Sequence, residues 1–174
     1  MKIRIDNKKG ILFWITGLSG SGKTTVGRKL KNYITRQYGP TIIFSGDNLR
    51  KIFHLNKFDK KNRLIIGKKY VRLCKYLTEQ GINVIFSVVG LFDELRIYNK
   101  KNIKNYVEIY IECEIDKLKK KSNKKHYRVK AKNIWGLDLK PEFPKKPHIK
   151  VKNDLKRSVD LIKNEIIKKL DLIL

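Results

Sequence analysis

Gly17-Leu18-Ser19-Gly20-Ser21-Gly22-Lys23-Thr24 decides how the rest of the chain is read. Glycines at 17, 20 and 22 free the backbone to turn its N–H groups inward around phosphate oxygens. The run before them, Ile11-Leu12-Phe13-Trp14-Ile15-Thr16, is continuously apolar, as a strand buried on both faces requires. After them, residues 24–38 carry a helical pattern that Gly39-Pro40 stops. Strand, glycine loop and helix N-terminus in that order make an anion site. Lys23 can reach the β- and γ-phosphates of a nucleoside triphosphate, and the Thr24 hydroxyl can bind Mg²⁺. The expected ATP contacts are therefore Gly17, Leu18, Ser19, Gly20, Ser21, Gly22, Lys23, Thr24 and Thr25, with Lys23 catalytic and Thr24 on the metal.

Outward from the loop, strands and helices alternate. Thr41 to Ser45 reads as a second strand, with a short helix near Asp47. From Asp59 to Gln80, Ile66, Tyr70, Leu73, Cys74 and Leu77 fall at helical spacing, and Gly81 is a stop signal. Asn83 to Val88 is a third strand, Leu91 to Lys101 a helix, Tyr106 to Ile111 a fourth strand, and a helix follows from Ile115. Residues 122–147 break the rhythm: they are basic, end among prolines and lack apolar periodicity, as a lid would. His148 to Val151 is a short fifth strand. Asn153 is placed to cap a last helix carrying Leu155, Val159, Ile162, Ile166 and Leu170 on one face. The pattern predicts an α/β domain over residues 1–174: a P-loop fold with a five-stranded, mainly parallel sheet, helices on both faces and a short lid.

The 174 residues carry 42 Lys and Arg against 16 Asp and Glu, a net charge of +26. That excess first suggests nucleic acid. The basic residues are spread through almost every segment, however, and lysine dominates alongside Ile and Asn, while alanine occurs once, at Ala131. This is the composition of an A/T-rich genome, so no nucleic-acid partner is expected, though anionic ligands are favoured. No apolar run is long enough to span a bilayer and no basic-then-apolar leader opens the chain. The expectation is a cytoplasmic protein with no membrane partner. Cys74 and Cys113 fit no zinc or disulfide framework and read as reduced, packed side chains. A homodimer is left open.

The residues around the loop carry a resemblance. Phe13 to Thr25 resembles the loop of adenylylsulfate kinases (APS kinases), and Gly46-Asp47-Asn48-Leu49-Arg50 resembles that family's G-D-N-x-R motif. Phe58 followed by Arg63, the strand Val107 to Ile111, Gly136-x-Asp138 and Glu142-x-Pro144 extend the likeness over residues 10–155. The resemblance implies transfer of the ATP γ-phosphate to the 3′-hydroxyl of a nucleotide's ribose. It makes Asp47 the catalytic residue that orients or deprotonates that hydroxyl, with capping of the short helix as a competing role. It makes Asn48, Arg50, Phe58, Arg63, Lys68, Val89, Asp93 and Trp135 the acceptor side. There Arg50 and Arg63 would grip phosphate, and Phe58 and Trp135 would stack on a base.

The departures from the family gather on that acceptor side. Ser45 stands where a carboxylate is usual, which changes how Mg²⁺ would be held. Val89-Gly90-Leu91-Phe92-Asp93 replaces Ile-Ser-Pro-x-Arg. Ile66 and Lys68 replace an asparagine and an arginine, and Ile134-Trp135-Gly136 replaces Phe-Thr-Gly. A kept reaction with an altered acceptor follows. Within the family one relative phosphorylates cytidine diphosphoramidate for bacterial capsule synthesis. Asp93, in place of a basic residue, favours that neutral, hydrogen-bond-donating tail. Adenylylsulfate is the alternative acceptor, and a P-loop protein that only binds nucleotide or RNA is a further one.

Overall fold

A computed structural model describes residues 2–121 and 132–174, so residues 122–131 of the expected lid lie outside it. Five strands form one sheet: β1 (Leu12–Thr16), β2 (Thr41–Ser45), β3 (Asn83–Ser87), β4 (Tyr106–Glu112) and β5 (Ile149–Lys152). Their spatial order is β2-β3-β1-β4-β5, and every neighbouring pair is parallel. Among the described residues, six helices connect or follow them: α1 (Lys23–Tyr38), α2 (Gly46–Ile52), α3 (Lys60–Glu79), α4 (Asp93–Asn102), α5 (Ile115–Lys121) and α6 (Val159–Ile173).

The apolar run of β1 divides between two cores because successive side chains point to opposite faces. Leu12 and Trp14 join the cluster under α3 and α4, where Trp14 stacks on Phe86 with ring centroids 5.0 Å apart. Ile11, Phe13 and Ile15 join the cluster under α1 and α6. Each of these side chains is 3% exposed or less, and burying one contributes about 1.5–3 kcal/mol. β1 lies between β3 and β4, and the chain crosses from it to opposite sides of the sheet. In open parallel sheets ligands bind at the carboxyl ends of strands where the order reverses. The 17–24 loop leaves β1 at that place.

Most element boundaries lie within a residue or two of the sequence reading. The last helix is a correction. Ser158 caps it, its hydroxyl accepting from the Leu161 N–H at 3.3 Å. Asn153 is not the cap: its side chain accepts from Leu155 N–H at 2.9 Å and donates to the Ser21 carbonyl at 3.1 Å. Leu155 has a φ of 63° and packs on the other core, off the helix. Cys74 and Cys113 are buried and unbridged. Among the described residues no helix is long and apolar enough to cross a membrane.

Candidate active site

The loop after β1 keeps its shape through positions that reject a side chain. Gly17, Gly20 and Gly22 have φ values of 149°, 80° and 91°. A Cβ on Gly17 would stand 2.4 Å from the Ile111 carbonyl oxygen, closer than packed atoms approach. Lys23 opens α1, is 8% exposed, and its ammonium donates to the Leu18 carbonyl at 2.6 Å. From β3, the Ser87 hydroxyl donates to the Lys23 carbonyl at 3.3 Å.

Above the loop opens a cavity of about 940 Å³, near the upper end of the range for small-molecule sites. Its floor is Ser19, Gly20 and Gly22 to Thr25. One end is walled by Asn153, Leu155 and Arg157. The other is walled by Asp47 and Arg50 from α2, Arg63 and Tyr70 from α3, the 88–90 turn, Phe92 and Trp135. Asp47 is the one carboxylate among its described lining residues.

The end of β2 explains why Asp47 is available. Ser45, not Asp47, caps α2, its hydroxyl accepting from the Asn48 N–H at 3.2 Å. Tyr70 donates to the Gly46 carbonyl at 3.4 Å, which ties α3 to the start of α2. Asp47 is left exposed in the first turn. The Thr16 hydroxyl donates to the Val89 carbonyl at 2.6 Å and fixes the neighbouring turn.

Arg50 donates to the Leu55 and Lys57 carbonyls, each at 3.0 Å, and Arg63 donates to the Phe58 carbonyl and, at 2.8 Å, to that of Asn133. Both guanidiniums lie over the Phe58 ring, 4.5 and 5.4 Å from its centroid. Burial, and then the charge of Arg50 beside it, push Arg63 down to about 10. It stays cationic at neutral pH, so two adjacent positive groups face one end of the cavity. Trp135 is 3% exposed and meets Phe92 edge-on, with centroids 4.8 Å apart at 87°.

The structure thus brings Asp47, Arg50, Arg63, Val89 and Trp135 to the loop. It places Asn48, Phe58, Lys68 and Asp93 outside the cavity wall. Asn48 is exposed on α2. Phe58 is 46% exposed, with its ring against the two guanidiniums. Lys68 pairs with Glu94 where α3 packs on α4. Asp93 pairs with Arg96, a buried cation whose other acid, Glu108, is 3.9 Å away. A buried guanidinium demands a counter-charge, and Asp93 supplies it from the adjoining turn. Asn153, Leu155 and Arg157 were not expected in the wall. They follow β5 in a lysine-rich run without a motif, and only the parallel placement of β5 beside β4 brings them to the loop.

The family model for adenylylsulphate kinase matches residues 9–152. A cytidine diphosphoramidate kinase of Campylobacter jejuni is 36% identical over 168 residues, 92% of this chain and 96% of that one. An adenylyl-sulfate kinase of Clostridium kluyveri is 31% identical, over 89% of this chain and 81% of that one. Among solved structures, the Mycobacterium tuberculosis APS kinase CysC, in complex with AMPPNP and APS, superposes with a TM-score of 0.82 at 24% identity, covering 94% of this chain and 98% of that one.

Proposed function

The chain belongs to the adenylylsulphate kinase family, and from that premise we propose that it moves the γ-phosphate of ATP to the 3′-hydroxyl of cytidine diphosphoramidate. The observation that carries the reaction is one cavity whose floor is a phosphate loop and whose wall holds Asp47, the one carboxylate among the described lining residues. The triphosphate lies on the loop's N–H groups at the N-terminus of α1. Lys23 exchanges the Leu18 carbonyl for a phosphate oxygen and follows the charge of the moving group. Asp47 orients the acceptor hydroxyl and takes its proton as that oxygen attacks γ-phosphorus and ADP leaves. Arg50 and Arg63 hold the acceptor's phosphates, and Phe92 and Trp135 flank its base. The wall beyond Asn153 takes the base of ATP.

Mg²⁺ fits this donor set. The described residues contain no cluster of three His, Cys, Asp or Glu, and Mg²⁺ bound to a nucleotide uses one or two protein ligands together with phosphates and water. Thr24 and Asp47 would hold it, and it would neutralise charge on the β- and γ-phosphates.

Three features support this acceptor over adenylylsulfate: the likeness to the Campylobacter enzyme along 92% of the chain, the indole of Trp135 in the wall, and the absence of the family's Ser-Pro-x-Arg at 90–93. Side-by-side kcat/KM for the two acceptors, with ATP and Mg²⁺, tests it. A preference of about tenfold or more for cytidine diphosphoramidate, worth about 1.4 kcal/mol, is expected. A preference for adenylylsulfate overturns it.

A further inference from the structure

Trp135 reaches the cavity from a segment that belongs to no sheet or helix. Residues 133–139 are internally braced: Asp138 accepts from the Asn133 and Ile134 N–H groups, and Gly136 N–H donates to the Leu139 carbonyl at 2.9 Å. Arg63 holds one end of this turn through the Asn133 carbonyl. The other end is held at Glu142. Its backbone N–H donates to the Leu91 carbonyl at 3.1 Å, its Oε2 accepts from the Asp93 backbone N–H at 2.7 Å, and its Oε1 accepts from Lys60 Nζ at 3.1 Å.

The Asp93 contact carries the most meaning. α4 begins there with Phe92 in the cap position, and no side chain of its own caps it. First-turn N–H groups lack partners within a helix, and that end carries partial positive charge. Glu142 supplies the missing acceptor from about fifty residues away along the chain. The hydrogen bond from Asp93 holds its carboxyl below the usual carboxylate range, with Lys60 a smaller cause. Phe92 and Leu95, on either side of the capped N–H, line the cavity, and Phe92 is the surface on which Trp135 rests.

We propose that Glu142 is a positioning residue: by capping α4 from the far segment it holds Trp135 and Phe92 together as the acceptor wall. The role in acceptor binding rests on the proposed division of the cavity into an ATP end and an acceptor end. Its Lys60 ion pair is secondary, with side chains 59% and 33% exposed.

Two readouts test this. The first uses no substrate. Trp14 is fully buried and Trp135 nearly so, so acrylamide should quench the native protein weakly. Glu142→Ala should make about half of the tryptophan fluorescence accessible, with circular dichroism unchanged. The second is steady-state kinetics with cytidine diphosphoramidate and with adenylylsulfate. Glu142→Ala should raise the acceptor KM by about fivefold or more while the ATP KM stays within about twofold. Glu142→Gln keeps a carbonyl for the Asp93 N–H and should restore most of both readouts, and Lys60→Met should resemble wild type. Unchanged quenching in Glu142→Ala, a parallel rise in both KM values, or a Lys60→Met defect equal to Glu142→Ala would overturn the proposal. Should wild type use neither acceptor, the functional reading falls, and quenching alone still decides whether Glu142 holds the wall.

Discussion

The floor of the cavity and the wall proposed for the acceptor are built in opposite ways. The floor is one continuous stretch, residues 17–25, whose shape comes mainly from glycines with positive φ and from the helix that follows at once. The wall is assembled from α2, α3, the start of α4 and the 133–142 segment, and two of its side chains are aimed by neighbours distant in sequence. Arg63 is aimed by Asn133, seventy residues on, and Trp135 by Phe92. A local floor tolerates little change without losing phosphate binding. An assembled wall can exchange members while the reaction stays, which is where this chain departs from its family.

The largest expected effect lies on the floor. Lys23→Ala removes the ammonium proposed to follow the γ-phosphate, and such stabilisation of a transferring phosphoryl group is worth about 10²–10³ in kcat or more. Turnover should fall by that factor with the fold intact by circular dichroism. Turnover within about threefold of wild type would move the chemistry elsewhere.

The junction of floor and wall separates two carboxylate roles that the sequence leaves merged. Asp47→Asn should cut kcat by about 10²-fold or more and leave the melting temperature unchanged, because Ser45 holds the cap. Ser45→Ala should do the reverse: it loses about 0.5–2 kcal/mol of stability, seen as a drop of a few degrees in Tm, and keeps most of kcat. Crossed results, with Asp47→Asn unfolding early and active per folded molecule, would return Asp47 to the capping role.

How much was legible follows the same division. Strand β1, the loop and α1 could be read because apolar run, glycines and helix signal are contiguous. The sheet followed from alternating patterns and the rule that parallel strands need crossover helices. Asn153 misled because an asparagine before a helical pattern is a good cap signal, and the Leu155 φ of 63° that breaks the continuity is invisible in sequence. Ser158, three residues before Leu161, carried the same signal and was the real one. The likeness to the family's pattern points Asp93 at the acceptor. Its partner Arg96 stands one helical turn on, so the local pair was readable. What was not readable is that Arg96 is buried and needs that charge. Arg157 had no signal at all.

The smallest expected effect is the sharpest test of the division. The Asp93 side chain is 58% exposed and turned onto Arg96, while its backbone N–H, not its carboxylate, contacts Glu142, donating to Oε2. Asp93→Asn keeps the backbone, the shape and a carbonyl toward Arg96, and removes only the charge. Arg96 retains Glu108 at 3.9 Å, so the stability cost should be about 1 kcal/mol or less, discounted for the exposure of Asp93. If the carboxylate acted on the acceptor's tail, removing it would cost a charged hydrogen bond, and the ratio of kcat/KM for cytidine diphosphoramidate over adenylylsulfate would fall by about tenfold. With the carboxylate outside the wall, that ratio should stay within about twofold of wild type. A tenfold fall, about 1.4 kcal/mol, would mean that Asp93 leaves Arg96 when the acceptor binds. The wall would then be chosen by the ligand and not by the packing of α4.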